Sequence, residues 1–531
     1  MILDKDLLSI QEARNLAAKA KEAQLEYKHF SQQQVDKIVK AMAEAGYNAS
    51  EKLAKMACDE SGFGVYEDKI IKNQFSTKNV YESIKNLKTV GIVAEEANGK
   101  VLKIAEPMGV VCALIPSTNP TSTAMFKAVI SLKSRNAIVA SPHPKTSKCT
   151  TEALRILSEA AEKAGAPKGL IQCMSEPTIE GTDALMHDKN IAIILATGSS
   201  QMVKAAYSSG KPAYGVGPGN VPAFIERTAN YQKAVADIVY GTTFDNGTLC
   251  SSEQSMIADL PLKEKVIEEC LIQECYFVNA EEKEKLAKAI QTNLKINPDI
   301  VGKPAKFIAN YAGFSVPENT RVLIAECNEV GNNEPLSIEK LSPVLSFYVV
   351  DGWLEGCHRC IDLLQFGGLG HTMVIHSNDE PIIMKFAIEK PAFRILVNTV
   401  ASIGAVGYTT ALEPSMTLGP GTWGGSIISD NVSAKHLLNI KSLAFEINPV
   451  NKGKTVDKFE TQKYKGGKDW FIKEIEERLR ERAGNPPLKD VYTYSEKEKL
   501  VKEKSELAKP VTYGTGITEE EIKKIIREFS S

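Results

Sequence analysis

Residues 241–254 read GTTFDNGTLCSSEQ and set Cys250 among Gly247, Thr248, Ser251 and Ser252. Small neighbours leave a thiolate open to a planar carbonyl at reacting distance, as covalent catalysis requires. The bland alternative is a buried structural thiol, the commoner fate of a cysteine. Two other stretches bear on ligands. Residues 215–220, GVGPGN, match no GxGxxG fingerprint, and no GxxxxGK[ST] loop occurs, so neither standard phosphate loop is present. The modest reading is a turn where backbone comes close to a ligand or another strand. Cys357 and Cys360 form CHRC with no second pair at suitable spacing, so they read as a helix surface and no metal site is expected.

Alternating strands and helices must position such a thiol. Residues 6–27 carry apolar positions at helical spacing, and Ser31 with Gln34 reads as a capping box opening a second helix. Helices are expected to continue to about residue 86. From residue 101 the texture changes. Buried strands are expected at 109–115, 136–140, 169–174 and 191–195, with helices at 124–133, 149–164 and 201–209 between them. That alternation argues for a doubly wound α/β sheet. Ligands bind such sheets at the carboxyl ends of the strands, where STNPTST, SPHPK and ATGSS lie. A second α/β region follows to about residue 425, with a helix at 261–275 and strands at 321–324, 346–350 and 393–398. A Lys/Glu-rich extension holds an amphipathic helix at 468–483, a linker, and a terminal helix.

With 531 residues the chain is long enough for two or three domains. Its 64 basic and 66 acidic residues leave a net charge of -2, so neither nucleic acid nor an anionic membrane is expected as the main partner. No apolar run reaches spanning length, and residues 1–9 are no secretory signal. Ten cysteines without such a signal point to reduced thiols and a cytoplasmic location.

The stretches IPSTNPTSTAMFKAVISLKSRNAIVASPHPK, ILATGSSQMVKAAYSSGKPAYGVGPGN, TFDNGTLCSSEQS, AGFSVPENT, EKLSPVL, GGLGHT and TLGPGTWGGSIISDNVSAKHLLNIK occur in that order. Together they resemble the coenzyme A-acylating aldehyde dehydrogenases, and more narrowly the aldehyde dehydrogenase half of the bifunctional aldehyde–alcohol dehydrogenases. The resemblance implies an NAD-binding domain with a helical N-terminal layer at 1–240 and a catalytic domain at 241–425. It also implies a return segment at 426–450 to an oligomerisation region, and the extension at 451–531. No iron-binding alcohol dehydrogenase half is expected after it.

The resemblance makes Cys250 the nucleophile that carries a thioester, which the thiol of coenzyme A then takes over. Asn119, with the Cys250 backbone N–H, would form an oxyanion hole; its alternative is a turn residue before Pro120. His371 in GGLGHT would either accept the coenzyme A proton or only support its loop, and both readings stay open. Glu339 matches the glutamate that hydrogen-bonds the nicotinamide ribose. Thr197 and Gly198 match the loop beside the cofactor, Leu418 would pack on the nicotinamide, and Ser141, His143, Lys145, Gly215 and Gly217 complete the cofactor set. No carboxylate stands after the 136–140 strand to reject a 2′-phosphate, so NADP is open beside NAD. Hydrolytic relatives carry a glutamate in an ELGG motif that activates water. Aligned on Pro222, that position is Val216 here, and GVGPGNVP holds no acid or base. The substitution favours thiolysis over hydrolysis.

The expected reaction interconverts acetaldehyde and acetyl-CoA with NAD. Propionaldehyde or sulfoacetaldehyde as substrate, a hydrolytic dehydrogenase, and a non-catalytic scaffold are the alternatives. A homo-oligomer is expected. The tail offers Thr518 and Glu521 as a capping box and Ile522, Ile525, Ile526 and Phe529 as one apolar stripe. It would dock on the enzyme itself or, as an encapsulation peptide, on the shell proteins of a bacterial microcompartment.

Overall fold

The computed structural model describes residues 4–292 and 295–451. The expected helix at 468–483, the linker and the terminal helix lie outside them. Among the described residues no helix is long and apolar enough to cross a membrane.

The helical layer comes first: α1 (Lys5–Tyr27), α2 (Gln32–Asn48), α3 (Ser50–Ser61) and α4 (Tyr66–Gln74), which runs through a wide turn at Phe75–Asn79 into α5 (Val80–Ile84). Ser31 and Gln34 close the expected capping box. Ala13, Ala17 and Ala20 line the buried face of α1, and small residues let another element come near. Strands β1 (Gly91–Glu96) and β2 (Val101–Pro107) are antiparallel.

The first parallel sheet follows. Its elements are β3 (Val110–Ile115), α6 (Pro120–Lys133), β4 (Ala137–Pro142), α7 (Ser147–Lys163), β5 (Ile171–Cys173), α8 (Ile179–His187), β6 (Ile191–Thr197), α9 (Ser200–Ser208) and β7 (Ala213–Val216). The strand order is β5-β4-β3-β6-β7, all parallel. The order reverses between β3 and β6, the point at whose carboxyl ends doubly wound sheets take their ligands. The sequence reading started α6 four residues late. Asn119 is its N-cap and Pro120 sits where a missing N–H costs nothing, so 120–123 are the first turn.

The chain crosses to a second sheet over residues 217–220. This sheet takes β8 (Val221–Ile225), then α10 (Tyr231–Thr243), β9 (Glu253–Asp259), α11 (Lys263–Ile272), β10 (Cys275–Phe277) and α12 (Ala280–Ile290). A small hairpin, β11 (Gln291–Thr292) and β12 (Lys295–Ile296), precedes α13 (Ala305–Ala312), β13 (Val322–Glu326), β14 (Val344–Val350), α14 (Trp353–Phe366), β15 (Gly370–His376), α15 (Glu380–Glu389), β16 (Ala392–Val397) and α16 (Ala401–Ala405). The order is β10-β13-β14-β9-β8-β15-β16, again parallel. Then β17 (Leu438–Ala444) returns to pair with β2. Cys357 and Cys360 do lie on a helix, α14, but not on its surface. They are 1% and 0% exposed and pack in the core with Leu363 and Leu364, as small apolar side chains do.

Lys127, on α6, is fully buried. Its ammonium nitrogen donates to Leu114 O at 2.8 Å and Leu195 O at 2.9 Å, tying β3 to β6 where they diverge. Burial pulls its pKa down to about 7, with Cys112 opposing. We expect Lys127→Met, which removes this donor from both carbonyls, to lower stability by about 2 kcal/mol. Because the folded pKa lies below the unfolded one, Lys127 adds stability as pH rises from about 7 towards 10. Urea melts at pH 7 and pH 9 should therefore show a larger deficit for the variant at the higher pH.

Candidate active site

Residues between α10 and β9 form the loop that carries Cys250. Asp245, Asn246 and Gly247 all have positive φ, at 49°, 52° and 72°. Aspartate and asparagine tolerate that left-handed region better than other side chains. At Gly247 a Cβ would lie 3.0 Å from Ser342 N, so the loop passes close to a neighbouring backbone. Behind Cys250, Ser251 Oγ donates to Ser402 O at 2.7 Å. Residues 247–249 and 251–253 are buried, whereas Cys250 is partly exposed. The sulfur therefore has an approach from one side and protein on the others.

The crossing at 217–220 closes over this loop. A Cβ on Gly219 would fall 2.2 Å from Cys250 O and 2.9 Å from His371 Nδ1, so only glycine fits. The Gly219 N–H donates to Glu339 Oε1 at 2.7 Å. The modest sequence reading of GVGPGN, a close backbone approach, describes this position well.

Three charged or titratable groups, Glu339, His371 and Arg394, set the electrostatics around the thiol. Burial, and then the Glu339 carboxylate, push the Cys250 thiol up to about 12, against a countering pull from Arg394. Burial raises Glu339 itself to about 8, opposed by the Gly219 N–H. His371 is buried, and burial with Arg394 lowers its pKa to about 3. The ring is thus neutral; Nδ1 pairs with Thr372 Oγ1 at 3.0 Å and Nε2 has no protein partner. Arg394, on β16, stays cationic although burial lowers it to about 10. It donates to Gly419 O at 2.6 Å, Ser429 O at 3.1 Å and Thr372 Oγ1 at 3.2 Å. Sequence reasoning treated FRILVN only as a strand and missed this arginine.

Asn119 comes to the same place from the first sheet. Its Nδ2 donates to Thr248 O at 3.2 Å and Thr118 Oγ1 at 3.1 Å, and its Oδ1 accepts from Lys72 Nζ at 2.6 Å. Lys72 lies on α4, a layer the sequence reading left without chemistry. It also bonds Asp245, which is fully buried and holds Lys69 at 2.9 Å and Thr248 Oγ1 at 2.6 Å. Burial works to raise the Asp245 carboxyl, but Lys72 and Lys69 outweigh it and hold it below its ordinary value.

The cofactor residues divide. Thr197 ends β6, and its Oγ1 is buried without a protein partner. Gly198 and Gly217 have little around them: near Gly217 nothing lies within 4 Å of a Cβ, and near Gly198 only Met202 does. His143 and Lys145 are exposed just past β4, with the Lys145 N–H on His143 Nδ1 at 3.2 Å. An unpartnered hydroxyl and open backbone at a switch point fit a dinucleotide. Ser141 and Gly215 serve packing in this structure. The Ser141 hydroxyl pairs with Thr182 Oγ1 at 2.7 Å, and a Cβ on Gly215 would strike Val203 at 2.5 Å. Leu418 is 1% exposed and bridges to Asn431. No group of His, Cys, Asp or Glu among the described residues is arranged to hold a metal ion.

Comparison with known proteins bears on the family of the chain. The model of the aldehyde dehydrogenase family matches residues 6–324. The bifunctional aldehyde-alcohol dehydrogenase of Escherichia coli (strain K12) is 45% identical over 441 residues, 82% of this chain and 50% of that protein. The chain thus spans about half the length of the first curated relatives it matches. The crystal structure of an acetylating aldehyde dehydrogenase from Geobacillus thermoglucosidasius superposes with a TM-score of 0.84 at 51% identity, covering 85% of this chain and 100% of that one. A propionaldehyde dehydrogenase from Rhodopseudomonas palustris, with bound CoA and an acylated cysteine, gives a TM-score of 0.73 at 27% identity over 82% of this chain and 97% of that one.

Two outcomes follow from the geometry. Gly219→Ala should leave the chain folded but reduce turnover on the order of 100-fold, because displacements near 1 Å at a reacting centre cost about that much. Carboxamidomethylation of Cys250, followed by peptide mass spectrometry, should accelerate about tenfold per pH unit from pH 7 to pH 10, since the thiolate fraction scales that way below the pKa. A plateau near pH 8 would mean the thiol is far more acidic than its surroundings imply.

Proposed function

The chain belongs to the aldehyde dehydrogenase family, and on that premise we propose that it is a coenzyme A-acylating member, interconverting acetaldehyde and acetyl-CoA with NAD. Val216 is the observation that carries the acylating reading. It ends β7, is 1% exposed, and the GVGPGN stretch around it has no side-chain acid or base. That stretch supplies no carboxylate of its own to activate water, whereas a thiol ionises readily enough to compete without one.

In this reading the Cys250 sulfur gives its proton up to solvent and adds to the aldehyde carbon. The carbonyl electron pair moves onto oxygen, where Asn119 Nδ2 and the Cys250 N–H receive it; such donors are worth roughly 3 kcal/mol each. Arg394 adds a fixed positive charge that favours the thiolate. When bound, the nicotinamide supplies the acceptor for hydride leaving that carbon. The carbonyl re-forms as a thioester on Cys250. The thiol sulfur of coenzyme A then bonds the acyl carbon and the bond to Cys250 breaks. The thiol proton passes to solvent, directly or by way of the neutral His371 ring, whose lowered pKa makes it a weak base that does not keep the proton. Thr197, Gly198, Gly217, Glu339, Leu418, His143 and Lys145 hold the dinucleotide, and no acid near His143 selects against a 2′-phosphate.

The Geobacillus structure, named as acetylating and 51% identical, supports acetaldehyde as the substrate. The Rhodopseudomonas structure, with CoA and an acylated cysteine, supports the acyl-enzyme route. We assign the half built on β3–β7 to the dinucleotide and the half built on β8–β16 to the nucleophile. The β1-β2-β17 sheet exposes Ile440, Leu443 and Phe445 nearby, which suits a homo-oligomer. A shell-protein partner and a place in a microcompartment rest on the tail sequence.

NADH formation from acetaldehyde should require coenzyme A, and Cys250→Ala should abolish it. Sustained turnover without coenzyme A would contradict the acylating reading, and none under either condition would favour a scaffold. Val216→Glu should raise NADH formation in the absence of coenzyme A at least several-fold. Propionaldehyde and sulfoacetaldehyde, each with NAD and NADP, complete the substrate panel, with acetaldehyde and NAD expected to give the highest kcat/KM.

A further inference from the structure

We propose that Lys72 is a positioning residue for the reaction assigned above: its ammonium grips the Asn119 carboxamide by Oδ1 and so turns the Nδ2 hydrogens toward the loop that carries Cys250. The inference rests on that catalytic reading and on three observations.

First, an ammonium donates hydrogen bonds and accepts none. Lys72 Nζ sits 2.6 Å from Asn119 Oδ1, so the carboxamide oxygen must face α4. Nδ2 then faces Thr248 O, two residues before the nucleophile. Its second contact is the Thr118 hydroxyl, which can rotate away when an anionic oxygen arrives. Without Lys72 the carboxamide can turn over and present Oδ1 lone pairs to the developing oxyanion, repelling the charge it should stabilise.

Second, Lys72 is placed by an arrangement that costs stability unless every member is paired. It is 4% exposed, and burial lowers its pKa to about 8, with Asp245 opposing. Asp245 is 0% exposed and accepts from the Val65 N–H at 2.6 Å, from Lys69 at 2.9 Å and from Thr248 Oγ1 at 2.6 Å, besides Lys72. Lys69 alone could neutralise that carboxylate. Asp68 also lies against this group, accepting the Asp245 N–H at 2.7 Å, so two ammonium groups face two carboxylates, and it is Lys72 that also reaches the catalytic amide.

Third, the same ammonium reaches both halves of the site. Asn119 caps α6 in the first sheet, while Asp245 and Thr248 belong to the nucleophile loop. One side chain from the helical layer therefore fixes the donor and the loop in a common frame. An ammonium on Oδ1 also polarises the amide and strengthens its N–H as a donor.

The test compares carbonyl addition with a reaction of the same sulfur that forms no oxyanion. Lys72→Met keeps Asp245 paired with Lys69, and circular dichroism with a thermal melt checks that the fold survives. In CoA-dependent acetaldehyde oxidation its kcat/KM should fall on the order of 100-fold, while carboxamidomethylation of Cys250 at pH 9 should change by less than about threefold. Asn119→Ala should fall on the order of 100- to 1,000-fold. The double variant should be no worse than Asn119→Ala within about threefold, because Lys72 acts through that amide. Lys72→Gln, which keeps a donor, should recover part of the loss. Wild-type kinetics in Lys72→Met, parallel losses in turnover and alkylation, or multiplying losses in the double variant would each overturn the assignment. If the wild type oxidises no aldehyde, the catalytic reading fails and takes this assignment with it.

Discussion

A carboxylate removed from water must meet positive charge and hydrogen-bond donors, or it will not stay ionised. Asp245 meets both: two ammonium groups, a backbone N–H and a threonine hydroxyl converge on it in the interior. The rest of the site depends on this meeting. It fastens α4 to the loop after α10, holds that loop through left-handed φ values at 245–247, and brings Thr248 beneath the Asn119 amide. The helical layer is thus more than a cover for the first sheet. It supplies the charges that let the nucleophile loop keep a shape few side chains would choose alone.

A second constraint is steric. The chain passes from one sheet to the other through Gly219, with no room for a Cβ between the Cys250 carbonyl and the His371 ring. The Cys250 loop and the imidazole are therefore held at fixed separation by backbone. Glu339 accepts from the same glycine and raises the Cys250 pKa, while Arg394 lowers it. The resting sulfur is a thiol in a pocket ready to stabilise charge once a carbonyl arrives. Keeping the thiolate scarce also limits oxidation of the nucleophile between turnovers.

Much of this was legible in the amino-acid sequence. Runs such as VVCALI and NAIVA are too apolar to be anything but buried strands, and the small residues around Cys250 announced an accessible thiol. The family resemblance added Asn119, Glu339 and His371, and the structure brings all three toward Cys250. What stayed hidden depends on contacts distant in sequence. Lys72 lies in KIIKNQ, which reads like a solvated helix face; its partners are 47 and 173 residues away. Arg394 sits in an ordinary strand, and its reach to Gly419 and Ser429 needs the fold to exist first. Sequence also does not show that the Ser141 hydroxyl pairs with Thr182 or that Gly215 packs against Val203 of α9. The CHRC pair looked like surface because its neighbours are polar, yet α14 turns both sulfurs inward.

The central claim is that Cys250 carries the acyl group between aldehyde and coenzyme A. The most direct measurement incubates the full chain with acetyl-CoA in the absence of NADH, quenches in acid, and maps acetylation by peptide mass spectrometry. The account predicts one acetyl group on the peptide containing Cys250, removed again when free coenzyme A is added before the quench. No acetylation at Cys250, or acetylation confined to another cysteine, would contradict it.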